Sequence, residues 1–117
     1  MSSEQTTAPV FVEATKVVPD APTTHGGDQA GFLLTAHGLF ETRLNVGLGV
    51  NRFTSVMISL CEVTTDPNGA LTVPFLGLAN MYVYNVAPHD DGTVEVRGHV
   101  FWERDLNIWV NVLVGHN

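Results

Sequence analysis

The stretch TVEVRGHVFWERDLNIWVNVLV, residues 93–114, decides the fold class of this chain. Valines recur at alternate positions on both sides of the polar segment 103–105, at residues 94, 96 and 100 with a glycine at 98, and again at 110, 112 and 114. Such alternation predicts β-strands with one buried face, and the polar segment predicts a tight reversal between them. An Asp-Asp-Gly turn signal at residues 90–92 predicts a further strand before this pair. The C-terminal part therefore predicts an antiparallel meander.

Similar patterns extend upstream. Residues 44–50 alternate between aliphatic side chains and small or polar ones, and residues 53–63 are apolar on both faces, which predicts a central strand. The sequence Asp-Pro-Asn-Gly at residues 66–69 predicts a turn, and short strands are expected at 71–75 and 81–86. No window favours a helix longer than a turn or two. We predict an all-β fold, an antiparallel β-sandwich or jelly-roll-like barrel of roughly six to eight short strands.

The composition changes near residue 30. Residues 1–30 are rich in Ser, Thr, Pro, Gln and Gly, and they cannot form a core alone, whereas residues 31–117 are dense in Val, Leu, Phe and Trp. This contrast predicts an extended N-terminal arm, residues 1–30, before a β-sandwich domain, residues 31–117. An apolar stretch in the arm is suited to pairing with the sheet edge of a neighbouring subunit. The candidate partner-binding residues are Val10, Phe11, Val12, Val17 and Val18.

The charge balance argues against several partners. The net charge is −7, and the five Lys and Arg residues are scattered along the chain. Binding of nucleic acid or of an anionic membrane needs clustered cations, so neither partner is expected. No apolar run is long enough for a membrane span, and no secretory leader is expected. Cys61 is the single cysteine, which excludes an intramolecular disulfide and suits synthesis in a reducing cytoplasm.

Motifs for catalysis are absent from the sequence. No Gly-x-Ser-x-Gly elbow and no phosphate loop occur, and none of the five histidines is spaced with another histidine or a cysteine as in zinc sites. We predict that the chain is not an enzyme, with no catalytic residue, metal or cofactor. Two alternatives stay open: a weak surface calcium site at the tip 66–69 or 90–91, and a dispersed barrel site that no linear motif reveals.

Trp109 is the aromatic residue with the clearest claim to a binding role. It alternates with Asn107 and Asn111 on the face of its strand opposite the aliphatic stripe. An indole between two amides is suited to stacking on a sugar ring or to anchoring a partner, and ordinary cross-strand packing is the competing interpretation. We therefore name Asn107, Trp109 and Asn111 as a possible sugar- or partner-binding surface.

The stretch VFWERDLNIWV, residues 100–110, is similar in cadence to the closing hairpin of small decoration and minor tail proteins of tailed bacteriophages. This resemblance implies a structural virion protein, a capsid decoration (cement) or tail-associated protein. Such a protein would be made in the host bacterial cytoplasm. It would bind the major capsid or tail protein and stabilise the shell through its arm and one sandwich face. Apolar residues on both faces of several strands also favour a homo-oligomer, with a trimer preferred.

The same residues 100–110 also resemble the closing strands of H-type lectin domains, which are trimeric sandwiches that bind sugars. This second resemblance implies a carbohydrate-binding module as the alternative function. Neither resemblance supplies ligand residues at matching positions.

Overall fold

The computed structural model describes residues 8–22 and 27–115 of the chain. These residues form strands, turns and loops, and among them there is no helix long and apolar enough to cross a membrane. The strands are β1 (Val10–Phe11), β2 (Thr15–Pro22), β3 (Gly27–Ala36), β4 (Gly38–Asn45), β5 (Ser55–Thr65), β6 (Leu71–Phe75), β7 (Asn80–Pro88), β8 (Thr93–Phe101) and β9 (Leu106–Gly115). The predicted all-β sandwich is confirmed.

The strands form two sheets. The front sheet has four strands in the order β1-β4-β8-β7, and the back sheet has five in the order β2-β3-β9-β5-β6. All neighbouring strands run antiparallel except β1, which lies parallel to β4. Strands β3 to β9 agree with the range of roughly six to eight that the sequence predicts for the sandwich itself.

The core lies between the inner faces of the two sheets. Alternate residues of β3, β4, β8 and β9 point into it, as the valine pattern predicts. Its largest fully buried side chains are Phe32, Phe40, Leu44, Ile108, Val46, Val94, Val96, Val100, Val110, Val112, Val114 and Thr42. Thr42 is the polar exception in that set, and its hydroxyl has no hydrogen-bond partner.

A phenylalanine of β4 packs over a glycine of β8 on the inner side of the front sheet. Gly98 lies directly across from Phe40, and a Cβ atom added to this glycine would lie 2.8 Å from the Phe40 ring. The missing side chain is what gives the ring its room, because real Cβ contacts are longer than this. A side chain at position 98 and the Phe40 ring therefore cannot both be present without a shift of one of them.

The alternation over residues 44–50 does not continue as one strand. β4 ends at Asn45, and Gly47, Leu48 and Gly49 all have positive φ angles of 69°, 53° and 73°. The Val50 N–H donates to the Gly47 carbonyl at 2.9 Å and closes a turn around Leu48 and Gly49. Positive φ is costly for leucine, so the flanking glycines and the half-buried Leu48 side chain together hold this turn.

The predicted C-terminal meander is correct for its first step and wrong for its second. β7 and β8 form a hairpin around residues 89–92, as the Asp-Asp-Gly signal predicts. β9 does not pair with β8, because the segment 102–105 carries the chain across to the back sheet. There β9 lies between β3 and β5. Both β8 and β9 bury a valine face, and placing them in opposite sheets lets the two faces pack against each other.

Part of the range predicted as an extended arm lies on the sandwich. β1 pairs with β4 at the edge of the front sheet, and β2 pairs with β3 at the edge of the back sheet. Between them Val12 and Ala14 pack against the core. Residues 1–7 and 23–26 of the predicted arm lie outside the described residues.

Candidate functional site on the front sheet

The outer surface of the front sheet carries a group of aromatic side chains, which we call the aromatic face. Its members are Tyr82 and Tyr84 of β7 and His99 and Phe101 of β8. The backbone register places His99 directly between Tyr82 and Leu39 of β4. Because side chains two positions apart lie on the same side of a strand, each strand contributes a pair to one surface.

The four rings of the aromatic face form a connected set. His99 and Phe101 are stacked with ring centroids 3.8 Å apart, and Phe101 meets Tyr82 edge to face at 5.5 Å. Tyr84 meets His99 edge to face at 5.9 Å, and the planes of Tyr82 and Tyr84 differ by only 10°. The two edge-to-face contacts, Phe101 with Tyr82 and Tyr84 with His99, have a favoured aromatic geometry. The rings are thus ordered by one another on the surface.

Solvent still reaches about half of each of three rings. The exposed fractions are 51% for Tyr82, 52% for Tyr84 and 47% for Phe101. An aromatic side chain has roughly 150–250 Å² to bury, so these three expose on the order of 300 Å² together. That is about the size of the largest apolar patch on a typical monomer, and such patches are often functional.

A β-bulge positions the end of this surface. The pairing between β7 and β8 shifts between Val83 and Asn85, so that Tyr84 and Asn85 are both exposed although they are consecutive in sequence. A bulge lets two residues oppose one on the partner strand, here next to Arg97. The irregularity turns Asn85 outward beside Tyr84 and returns Val86 to the inner side.

A pocket of about 180 Å³ lies on the same sheet, and we call it the front pocket. Its lining residues come from β1, β4, β7 and β8: Phe11, Glu41, Thr42, Asn85, Ala87, Glu95, Val96 and Arg97. Phe11 is across from Glu41 in the parallel pairing of β1 with β4. The N-terminal segment therefore supplies part of the pocket wall.

The charged groups of the front pocket are already paired. The Arg97 guanidinium donates through Nε to Glu41 Oε2 at 2.8 Å and through Nη2 to the same oxygen. Glu95 contacts His89 Nε2 at 2.6 Å on one oxygen and Arg43 Nη2 at 3.5 Å on the other. The pocket presents carboxylates, a guanidinium and the Asn85 amide, with its ionic charges locally balanced.

The electrostatics keep Glu95 in its ionised form. The hydrogen bond from His89 lowers the pKa of the Glu95 carboxyl below its ordinary value, and Arg43 acts in the same direction. At neutral pH this side chain is therefore a hydrogen-bond acceptor.

The residues predicted from sequence as a sugar or partner surface lie on the other sheet. The register places Asn107, Trp109 and Asn111 on the outer side of β9, so that they share one face of the back sheet. Trp109 is half-buried between Leu33 and Cys61, and its buried indole N–H has no hydrogen-bond partner. An indole in this position covers its neighbours in the sheet more than it offers a free stacking surface.

The two flanking amides differ in their surroundings. Asn107 is half-buried, and its Oδ1 accepts a hydrogen bond from the Thr35 hydroxyl at 3.2 Å. Asn111 is exposed and lies between Gly31 and Ser59. The three residues therefore lie on one face of β9, as the sequence predicts. A role for them in sugar or partner binding stays a prediction.

The arm residues named as partner-binding are split between the two sheets. Val10 and Phe11 form β1, where both are exposed, and Val12 donates its backbone N–H to the Glu41 carbonyl at 2.8 Å. Val17 is an exposed residue of β2, and the backbone of Val18 pairs with Gly31. These contacts are within the chain, and binding of another subunit by these residues stays a prediction.

The acidic side chains of the turns considered for calcium form hydrogen bonds within the fold. Asp66 accepts hydrogen bonds from the N–H groups of Asn68 and Ala70 and from the Thr72 hydroxyl, which builds the hairpin tip. Asp90 accepts from the Arg52 backbone and guanidinium across the end of the sandwich. Among the described residues, no group of three or more His, Cys, Asp or Glu side chains is placed to hold a metal ion. His25 and His116 lie outside those residues.

Sequence reasoning did not single out the aromatic face. Tyr82, Tyr84 and Phe101 fit ordinary cross-strand packing equally well, and only their shared exposure distinguishes them. The available signal is the repeat of two aromatic rings at alternate positions on each of two adjacent strands.

Comparison of the chain with protein-family models, with curated proteins and with solved structures finds no match.

Proposed function

We propose that this chain is a non-enzymatic structural protein that assembles through the aromatic face on β7 and β8, as a decoration or tail-associated component of a virion. The observation that supports this most is the aromatic face, which exposes ordered rings on a domain whose core is complete without them. Aromatic residues are enriched at the centres of protein interfaces, where they bury a large apolar area at low entropic cost.

The surroundings of the aromatic face support an interface that extends beyond the rings. Leu76 is fully exposed and Leu78 nearly so. Both lie in the loop before β7, whose first residue, Asn80, pairs with Phe101. A stable interface needs about 800 Å² from each partner, so the roughly 300 Å² of the rings would form its centre and these side chains its surroundings.

The oligomeric state tests the self-assembly part of the proposal. We expect sedimentation equilibrium to give a trimer at micromolar concentration, and the double variant Tyr82→Ser/Phe101→Ser to shift the chain to the monomer. Met57→Ser is the matched control, because Met57 is an exposed apolar residue of the back sheet. A monomeric wild-type chain would contradict self-assembly, and dissociation by Met57→Ser alone would move the interface to the back sheet.

The virion part of the proposal is tested by mass spectrometry of particles purified on a density gradient from the organism that encodes the chain. We expect the chain in the particle fraction at a constant ratio to the major shell protein. Its absence from purified particles, with detection in the soluble fraction, would contradict a virion role and leave the self-assembly result standing.

A further inference from the structure

We propose that the front pocket binds a single neutral sugar ring, with Phe11 of the N-terminal segment as its aromatic wall. This site differs in sheet and in residues from the surface that the sequence suggested for a sugar. It also goes beyond structural assembly, because it would give the protein a ligand of its own.

The size of the front pocket favours a ligand of one ring. Pockets for drug-sized ligands occupy roughly 300–1,000 Å³, whereas this one measures about 180 Å³. A dinucleotide, a flavin or another extended cofactor would not fit within it. One pyranose of a longer glycan fits, with its neighbours lying along the sheet surface.

The polar groups of the pocket suit hydroxyl groups. The carboxyl oxygens of Glu41 and Glu95 accept hydrogen bonds, Arg97 donates them, and the Asn85 amide does both. A sugar hydroxyl is itself a donor and an acceptor, so it can bind any of these groups. The bulge at Tyr84 and Asn85 is what brings the amide to this side of β7.

The charge pairing of the pocket favours a neutral ligand. Glu41 is held by Arg97, and Glu95 by His89 and Arg43. A charged ligand would have to compete with an existing ion pair, and removing one partner from such a pair leaves the other unsatisfied. A neutral polyol can add hydrogen bonds to both pairs without breaking either.

Phe11 supplies the apolar surface that a sugar ring needs. It is 59% exposed, and it lines the pocket opposite the polar groups of β8. The C–H face of a pyranose can lie against such a ring while its hydroxyls reach the carboxylates. Because Phe11 belongs to β1, the site is complete only when the N-terminal segment is docked on β4.

The test is a titration of the isotope-labelled full chain followed by NMR chemical shifts of the backbone amides. The probes are galactose, glucose, mannose and N-acetylglucosamine, with glucuronate, glucosamine and acyclic sorbitol for comparison, each up to about 50 mM. We expect at least one neutral pyranose to give saturable shifts at residues 11, 41, 85 and 95–97, with a dissociation constant on the order of 1 mM, as suits a small ligand in an open site.

Two variants separate the sugar site from general damage to the fold. Phe11→Ala should weaken binding by about 2- to 10-fold, the value of one aromatic contact. Val10→Ala is the matched control, since Val10 is an exposed neighbour in the same strand that does not line the pocket. It should leave the affinity unchanged.

Several outcomes would overturn the proposal. They are the absence of saturable shifts for every neutral pyranose, equal binding of sorbitol, preferential binding of glucuronate or glucosamine, and equal weakening by Val10→Ala and Phe11→Ala. None of these results bears on the oligomeric state, so failure of the sugar site and failure of the assembly proposal are distinguishable.

Discussion

The two faces of β8 differ in how their side chains are held. On the inner face Val94 and Val100 are fully buried, and Val96 is nearly so. On the outer face Arg97 and Phe101 have specific partners, yet water still reaches both. Removal from water stabilises the inner face, whereas contacts between exposed groups contribute little to stability. One strand thus carries residues that specify the fold on one side and residues that are open to a binding role on the other.

The largest expected loss of stability comes from removing the Phe40 ring, which packs against β8 on its inner face. Phe40→Ala should lower the free energy of unfolding by about 3–5 kcal/mol, because it leaves a cavity between β4 and β8 at a fully buried site. Urea denaturation followed by tryptophan fluorescence measures this change. A loss below about 1 kcal/mol would mean that the site is not closely packed.

A smaller loss is expected where the core has no spare room. Gly98→Ala should cost about 1–3 kcal/mol, because the added methyl group would lie within 3 Å of the Phe40 ring. The combination of Gly98→Ala with Phe40→Leu supplies the control. If steric conflict is the cause, the double variant is less destabilised than the sum of the single variants, and simple additivity would contradict it.

The outer face should respond much less in stability. Phe101→Ala should cost about 0.2–1 kcal/mol, the usual value of a cross-strand aromatic pair. The comparison with Phe40→Ala under the same conditions sharpens the contrast between the two faces. Equal losses, measured at a dilution where both variants are monomeric, would mean that the aromatic face is part of the fold and not available for an interface.

The smallest expected effect is on how the melting temperature depends on pH. Hydrogen bonds from the Thr72 hydroxyl and from backbone N–H groups lower the pKa of Asp66 below its ordinary value of 3.8. Because the pKa is lower in the folded chain, this stabilisation is present above about pH 4 and is lost as the pH falls through the folded value. Asp66→Asn should therefore reduce the melting temperature slightly at pH 7 and by less at pH 2.

The turn acid Glu103, which is exposed, provides the matched control for this acid effect as Glu103→Gln. A decrease in melting temperature for Asp66→Asn that is the same at both pH values would contradict the carboxylate as its cause.

The sequence is sufficient to predict much of the fold, because alternation is a direct consequence of strand geometry. It identifies the buried faces of β8 and β9 and the turns at Asp66 and Asp90. It does not reveal that β9 joins the other sheet, since alternation shows which face of a strand is buried and not which strand lies beside it. The strand predicted through Leu48 fails for a local reason, because the flanking glycines permit a left-handed turn without changing the apolar pattern.

The candidate site was less predictable than the fold. The front pocket depends on a bulge next to Tyr84 and on the docking of Phe11 against a strand some thirty positions away. Neither feature has a signature in the local sequence. The pairing of Glu41 with Arg97 likewise depends on the register between β4 and β8, which only the three-dimensional structure supplies.

The division of the N-terminal segment between the two sheets has a mechanical consequence. A pull on the chain before residue 10 meets first the two paired residues of β1 and only then the eight residues of β2. The first junction is short, and the pairing of β2 with β3 does not depend on it. A tether attached at that end would therefore load β1 before β2, one sheet of the sandwich before the other.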